Sequence, residues 1–262
     1  MSTAATAADY HERYLDAFRT GALTQGAFHT ERAGRQLACA LGVIGDEVDA
    51  VTDCPATIMP RWLAQMVPWF FDRQKETDAF AWGLDFTAAL KRLDGRVPFS
   101  VIHDWHANTV CPLAIDPAEK RGRDPAPHRA LQALHLRALG GEAITADEWR
   151  PALKTANADA YADAYADADA YANADAYAYA NADACAYANA DAYAYANADA
   201  YADAYANADA YAYANAYAYA NANAYANAYA NANANADAYA DAIKRLADGM
   251  VAALNRAEQV QS

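Results

Sequence analysis

Glu76–Leu93 reads ETDAFAWGLDFTAALKRL. Phe80, Leu84 and Ala88 fall four residues apart in one row, with Trp82, Phe86, Leu90 and Leu93 close beside them. That spacing gathers apolar side chains on one face of an α-helix. Asp94-Gly95 then stops the run, because glycine readily takes the left-handed conformation in which helices end. Upstream, Ile58–Gln74 carries Trp62, Leu63, Met66, Trp69 and Phe70 at the same spacing. Pro60 suits a first turn there, and Pro68 predicts a kink. The aromatic cluster of Trp62, Trp69, Phe70, Phe71, Trp82 and Phe86 is most simply core.

Further helices are expected on either side. Tyr10, Tyr14 and Phe18, with Leu15 beside them, predict a helix over about Ala7–Thr20, closed by Gly21. Thr30 reads as an N-cap for a second helix carrying Leu37, Ala38, Ala40 and Leu41 to Gly42. Asp53-Cys54-Pro55 reads as a turn, Val97–Ile102 as a short strand or the start of a buried helix, and Asp116–Pro127 as a loop. His128–Leu139 is amphipathic through Leu131, Leu134, Ala138 and Leu139. Thr145 with Glu148 three residues on forms a capping box for a helix through Trp149 and Leu153. Ile243–Ala257 is amphipathic through Ile243, Leu246, Met250, Val251 and Leu254.

Between these last two helices every even position from Ala156 to Ala242 is alanine, and the odd positions hold 17 Tyr, 13 Asn, 12 Asp and Cys185. The expected organisation is therefore all-α: a small irregular helical domain over 1–155, an alanine-rich low-complexity tail over 156–242, and a C-terminal amphipathic helix over 243–262. The tail itself admits three readings. Alanine is the best helix former, which favours a long helix or helical hairpins. A period of two suits a strand, with alanine on one face and Tyr, Asn or Asp on the other, as in a β-solenoid or sheet. The absence of large aliphatic side chains from the repeat suits disorder, since nothing offsets the ordering cost.

Charge divides as sharply as composition does. Of 34 acidic residues 12 lie in the repeat, and all 20 Lys and Arg lie outside it, in a chain of net charge −14. An acidic tail argues against nucleic acid or an anionic membrane as partner and leaves a protein partner with a basic surface. Asn or Asp interrupts the repeat every few positions, so no membrane span is expected. The leading Met-Ser-Thr-Ala-Ala-Thr has neither a basic nor an apolar signal region. Cys39, Cys54, Cys111 and Cys185 show no paired spacing. Together these predict a cytoplasmic protein with reduced thiols.

Few residues suggest chemistry. His103-Asp104-Trp105-His106 places two histidines three apart, on one helical face, with Cys111 near by. Such a set could hold a divalent metal if a third or fourth donor converges. The plainer expectation is one solvated and one hydrogen-bonded histidine beside Trp105. His128 and His135, two turns apart, read as surface residues. Ser100 lacks a nucleophile elbow, and Cys54 before Pro55 could sit at a helix N-terminus, where a thiol's pKa falls. No glycine-rich phosphate loop occurs, so neither a catalytic residue nor a cofactor is expected.

The order of short motifs supports one resemblance. Pro55-Ala56-Thr57 precedes the Trp/Phe-rich helix, and Asp104-Trp105, Pro112-Leu113, Leu131-Gln132-Ala133-Leu134-His135, Gly141-Glu142 and Glu148-Trp149-Arg150 follow. This order is similar to that of a loose group of bacterial and prophage proteins, some of which resemble immunity proteins of toxin systems. The resemblance implies a small helical domain, an alanine-rich helical segment and a short C-terminal helix, and it implies no activity. The relatives pair their alanines and use Arg, whereas this repeat alternates strictly and has none. The function expected is that of a non-enzymatic protein-interaction protein. The alternatives are a self-assembling structural protein and a metal-dependent enzyme using His103, His106 and Cys111.

Overall fold

The computed structural model describes residues 5–120, 122–156 and 236–258. They are mostly helical: α1 (Ala7–Thr20), a hairpin of β1 (His29–Arg32) and β2 (Arg35–Ala38), α2 (Arg61–Arg73), α3 (Glu76–Arg92), α4 (Ser100–Trp105), α5 (Cys111–Lys120), α6 (Ala126–Leu139), α7 (146–156) and α8 (Ala236–Arg256). The chain divides into two compact units, one of residues 1–102 with 243–262 and one of residues 103–242.

The first unit is built on α1, α2, α3 and α8. α1 starts at a capping box in which Asp9 N–H donates to Thr6 Oγ1 (3.1 Å) and Thr6 N–H donates to Asp9 Oδ2 (3.0 Å). Replacing Thr6 by alanine is expected to lower the stability of this unit by about 1 kcal/mol, read from the denaturant midpoint; an unchanged midpoint would show that the cap contributes nothing. The tyrosine row of α1 turns inward: Tyr10 Oη donates to Ala40 O (2.7 Å) and Tyr14 Oη to Phe80 O (3.1 Å). These bonds satisfy the one polar atom each ring carries into the core.

α2 and α3 supply the aromatic cluster, with Trp69, Phe70, Phe71, Trp82 and Phe86 all buried. The Trp82 and Phe86 rings stack at 4.7 Å. α2 runs through Pro68 because buried side chains on both sides of it, Leu63, Ala64, Met66 and Val67 before and Trp69, Phe70 and Phe71 after, hold the helix against its partners. α3 ends where Asp94 and Gly95 take positive φ. Gly95 is required there twice over, since a Cβ would overlap the Thr57 carbonyl as well as strain the backbone.

Ile243, Leu246, Met250, Val251 and Leu254 of α8 are buried. Trp82 Nε1–H donates to Ala247 O (2.9 Å), and the Arg92 guanidinium donates to Leu254 O (2.5 Å) and Ala257 O (3.0 Å) at the end of α8. The C-terminal helix thus supplies core side chains to a unit whose other elements lie before the repeat.

The helix expected from Thr30 to Gly42 is instead the hairpin. Ala33 and Gly34 both have positive φ (54° and 74°) between the paired residues Arg32 and Arg35. A two-residue turn of that kind matches the twist of antiparallel strands, whereas a glycine inside a helix costs about 1 kcal/mol. Ala38 is then fixed at both ends of its peptide, donating to Ala22 O and accepting from Thr24 N–H.

The second unit comprises α5, α6, α7 and the wide π turn His106–Val110, whose closing bond runs from Cys111 N–H to His106 O. Its apolar centre is Cys111, Ile115, Leu131, Trp149, Leu153 and Ala156. Val97–Ile102 resolves toward helix, since α4 begins at Ser100. The loop expected over Asp116–Pro127 is largely helical: α5 continues to Lys120 through Pro117, because Leu113, Ala114, Ile115 and Ala118 are buried along it. Pro127 lies in the first turn of α6, where its missing N–H is no loss. Of the capping box expected at α7 the return half is formed, with Thr145 N–H and Oγ1 both donating to Glu148 Oε2 at 3.0 Å, while Glu148 N–H donates to the Thr145 carbonyl (3.1 Å).

The three readings of the repeat fall on residues 157–235, which lie outside the described residues. Its last stretch, Ala236–Ala242, is the beginning of α8. Among the described residues no helix is long and apolar enough to cross a membrane.

Candidate functional site

The second unit gathers three histidines that sequence spacing alone does not connect. His103 comes from α4, His106 opens the π turn, and His135 comes from α6. The π turn widens the helix ahead of Pro112, whose ring nitrogen has no proton to donate four residues back. Gln132 on α6 donates to Ala107 O in that turn (2.7 Å), which ties α6 to it and supports the neighbouring His135.

The rings form a compact stack. His106 and His135 lie face to face, centroids 4.4 Å apart and planes within 7°. His103 and His135 share a hydrogen bond between their Nδ1 atoms (3.1 Å), so one of the two carries the proton and donates it. Trp149 of α7 lies parallel to His103 at 5.8 Å, and Trp105 meets His106 edge-on at 4.9 Å. Each of the three histidines is buried, as is Asp104, which accepts a hydrogen bond from Asn108 Nδ2 (2.7 Å).

Burial fixes the charge state. It pushes the His103 imidazole down to about 4 and that of His106 to about 3, where His103 lowers it further. His135 is held well below the ordinary range by burial first, then by His106 and His103. All three are neutral at pH 7. Both ring nitrogens of His106 and Nε2 of His135 have no hydrogen-bond partner among the described residues, at a cost of about 1–3 kcal/mol for each group. Ring stacking returns about 0.5–1.5 kcal/mol per pair, so the stack is a polar patch that its surroundings hold in place.

The metal set His103, His106 and Cys111 is not assembled. Cys111 is buried in the apolar cluster with Ile115 and Leu131, and burial raises its thiol to about 12. The parallel rings of His106 and His135 send their lone pairs side by side and not to one point. Among the described residues no group of three or more His, Cys, Asp and Glu is placed to hold an ion.

His128 and His135, expected at the surface, are both buried. The two-turn spacing was right and the face was not: α6 turns His128, Leu131 and His135 inward and leaves Leu136 and Leu139 outside. The partner of His103 and His106 was therefore in view as a residue but assigned to the wrong side of its helix. Cys54 does not cap a helix N-terminus; it ends a 3-10 turn over Val51–Asp53, and burial raises its thiol to about 12. Ser100 is exposed at the start of α4.

Comparison with known protein families, with curated proteins and with solved structures finds no match.

Proposed function

We propose that this chain works by binding another protein, and that its buried histidines and cysteines serve structure and not catalysis. One observation carries the reading: among the described residues of the second unit, the candidate groups His103, His106, His135 and Cys111 are all buried. A general base must reach within about 3 Å of the proton it takes, and a nucleophilic thiol must ionise near neutral pH. Enclosed neutral rings and a thiol raised to about 12 suit neither task.

The outer side of α6 supports the same reading. Leu136 and Leu139, one turn apart, are 48% and 37% exposed beside the Arg137–Glu142–Glu148 ion-pair network. Apolar side chains rimmed by charge suit a protein contact. The twelve aspartates of the repeat favour a basic partner. A bacterial or prophage setting with an immunity-like role agrees with the order of sequence motifs and belongs to the same proposal.

The test is affinity capture from a native bacterial lysate with three full-length chains: wild type, Leu136→Lys/Leu139→Lys, and Phe18→Lys as a control on α1 of the first unit. At least one protein should be retained by wild type and the control and reduced about tenfold by the double variant, equivalent to about 1.4 kcal/mol. Retention of no protein, or of the same proteins by all three chains, overturns the proposal.

A further inference from the structure

We propose that the His103–His135–His106 stack is an acid-sensitive latch of the second unit, holding it closed while all three rings are neutral and releasing it when one takes a proton. The geometry has three parts. The rings come from three successive elements, α4, the π turn and α6, so a change at the stack acts on all three. The stack is closed on two sides by Trp149 and Trp105. It also contains nitrogens with a lone pair and no partner among the described residues, which are the atoms a proton would join.

The elements packed here carry other titratable groups. Asp104 on α4, Cys111 on α5, His128 and Arg137 on α6, and Glu148 on α7 are buried or half-buried, whereas Asp116, Glu119 and Lys120 on α5, Arg129 on α6, and Asp147, Arg150 and Lys154 on α7 are exposed to solvent. Asp104 accepts from Asn108. Cys111 is a buried thiol raised by its apolar surroundings. His128 is buried. Arg137 and Glu148 are paired with each other at the surface. The charge effects on His106 and His135 come from fellow histidines and raise the penalty for a proton. A second proton on the stack is therefore opposed more strongly than the first.

The direction follows from linkage. The histidines have lower pKa values folded than unfolded, where about 6.5 applies. The unfolded or opened unit therefore binds more protons below pH 6.5. Stability is intact above that pH and is lost as pH falls toward 4. Each titrating histidine raises the opening constant of the unit by about tenfold per pH unit within this window.

The experiment is hydrogen exchange of the full chain resolved by segment, from pH 7.5 to 4.5, corrected for intrinsic exchange. Between pH 6.5 and 5 the opening constant of segments within 106–156 should rise at least about 30-fold more than that of α3. His135→Phe keeps a ring in the stack and should lower that slope by about tenfold per pH unit, the share of one histidine. Should this variant fail to fold, the ring-proton shifts of wild-type His103, His106 and His135 decide the matter. Midpoints below 5 for all three support the latch, and a midpoint near 6.5 for any of them overturns it. Equal slopes for the two units, or an unchanged slope in a folded His135→Phe, also overturn it.

Discussion

Leu246→Asp is expected to unfold the first unit, although the substitution lies beyond a repeat of more than 80 residues and close to the end of the chain. Leu246 is fully buried in α8, between Ile243 and Met250, which are fully buried too. An aspartate there would have to ionise in an apolar core or stay protonated at the cost of a raised pKa, and the leucine's packing would be lost in either case. The loss should exceed about 4 kcal/mol, against a total stability of about 5–15 kcal/mol for a domain. Trp82 Nε1 and the Arg92 guanidinium would lose their carbonyl acceptors on α8 when the helix leaves. Hydrogen exchange should therefore show α1 and α3 losing protection together with α8. Asp248→Ala is the control on the same helix: it removes only an exposed pair with Lys244, worth a few tenths of a kcal/mol. Full protection of α3 in Leu246→Asp would show that α8 is not part of this core.

That dependence marks the boundary of what sequence could supply. The amphipathic face of α8 was legible in Ile243, Leu246, Met250, Val251 and Leu254, because a period near 3.6 is a local property. What that face packs against is not local. Trp82 could be read as an apolar core residue, yet its indole donor meets a carbonyl 165 residues away. The two longest apolar patterns, in α2 and α3, gave the correct element type and nearly the correct ends. The hairpin was missed because Thr30, Leu37 and Leu41 imitate a helical spacing, while the deciding signal was the Ala33-Gly34 pair with positive φ. The polar, proline-bearing stretch Asp116–Pro127 reads as a loop, and burial of Leu113, Ile115 and Ala118 along α5 outweighs Pro117. At the candidate site the i, i+3 pair His103/His106 and the i, i+7 pair His128/His135 were each visible. Their union was not, because it depends on α6 presenting His128 and His135 inward and Leu136 and Leu139 outward, against the usual order of hydrophobicity.

Gly83→Ala is expected to destabilise the first unit by about 2–4 kcal/mol, although the same change in an isolated helix would stabilise it by up to about 1 kcal/mol. The two effects have opposite signs, and the packing of α1 on α3 decides between them. Gly83 lies where the ring of Tyr14 passes over α3; a Cβ would overlap Tyr14 Oη and Cζ and come within 2.8 Å of Cε2. Tyr14 cannot give way cheaply, since it is fully buried, meets Tyr10 edge-on at 6.4 Å and donates to Phe80 O. Relief would require α1 to lift from α3, which strains the His11–Thr87 and Lys91–Glu12 contacts along the same interface. Tyr14→Phe should not rescue Gly83→Ala, because Cζ and Cε2 remain in the way. Tyr14→Leu, which removes the far half of the ring, should rescue it in part, with a coupling of about 1–3 kcal/mol in a double-mutant cycle. Denaturant midpoints of the four chains measure that coupling. A gain in stability from Gly83→Ala alone, or strict additivity with Tyr14→Leu, would mean that Tyr14 does not lie over Gly83.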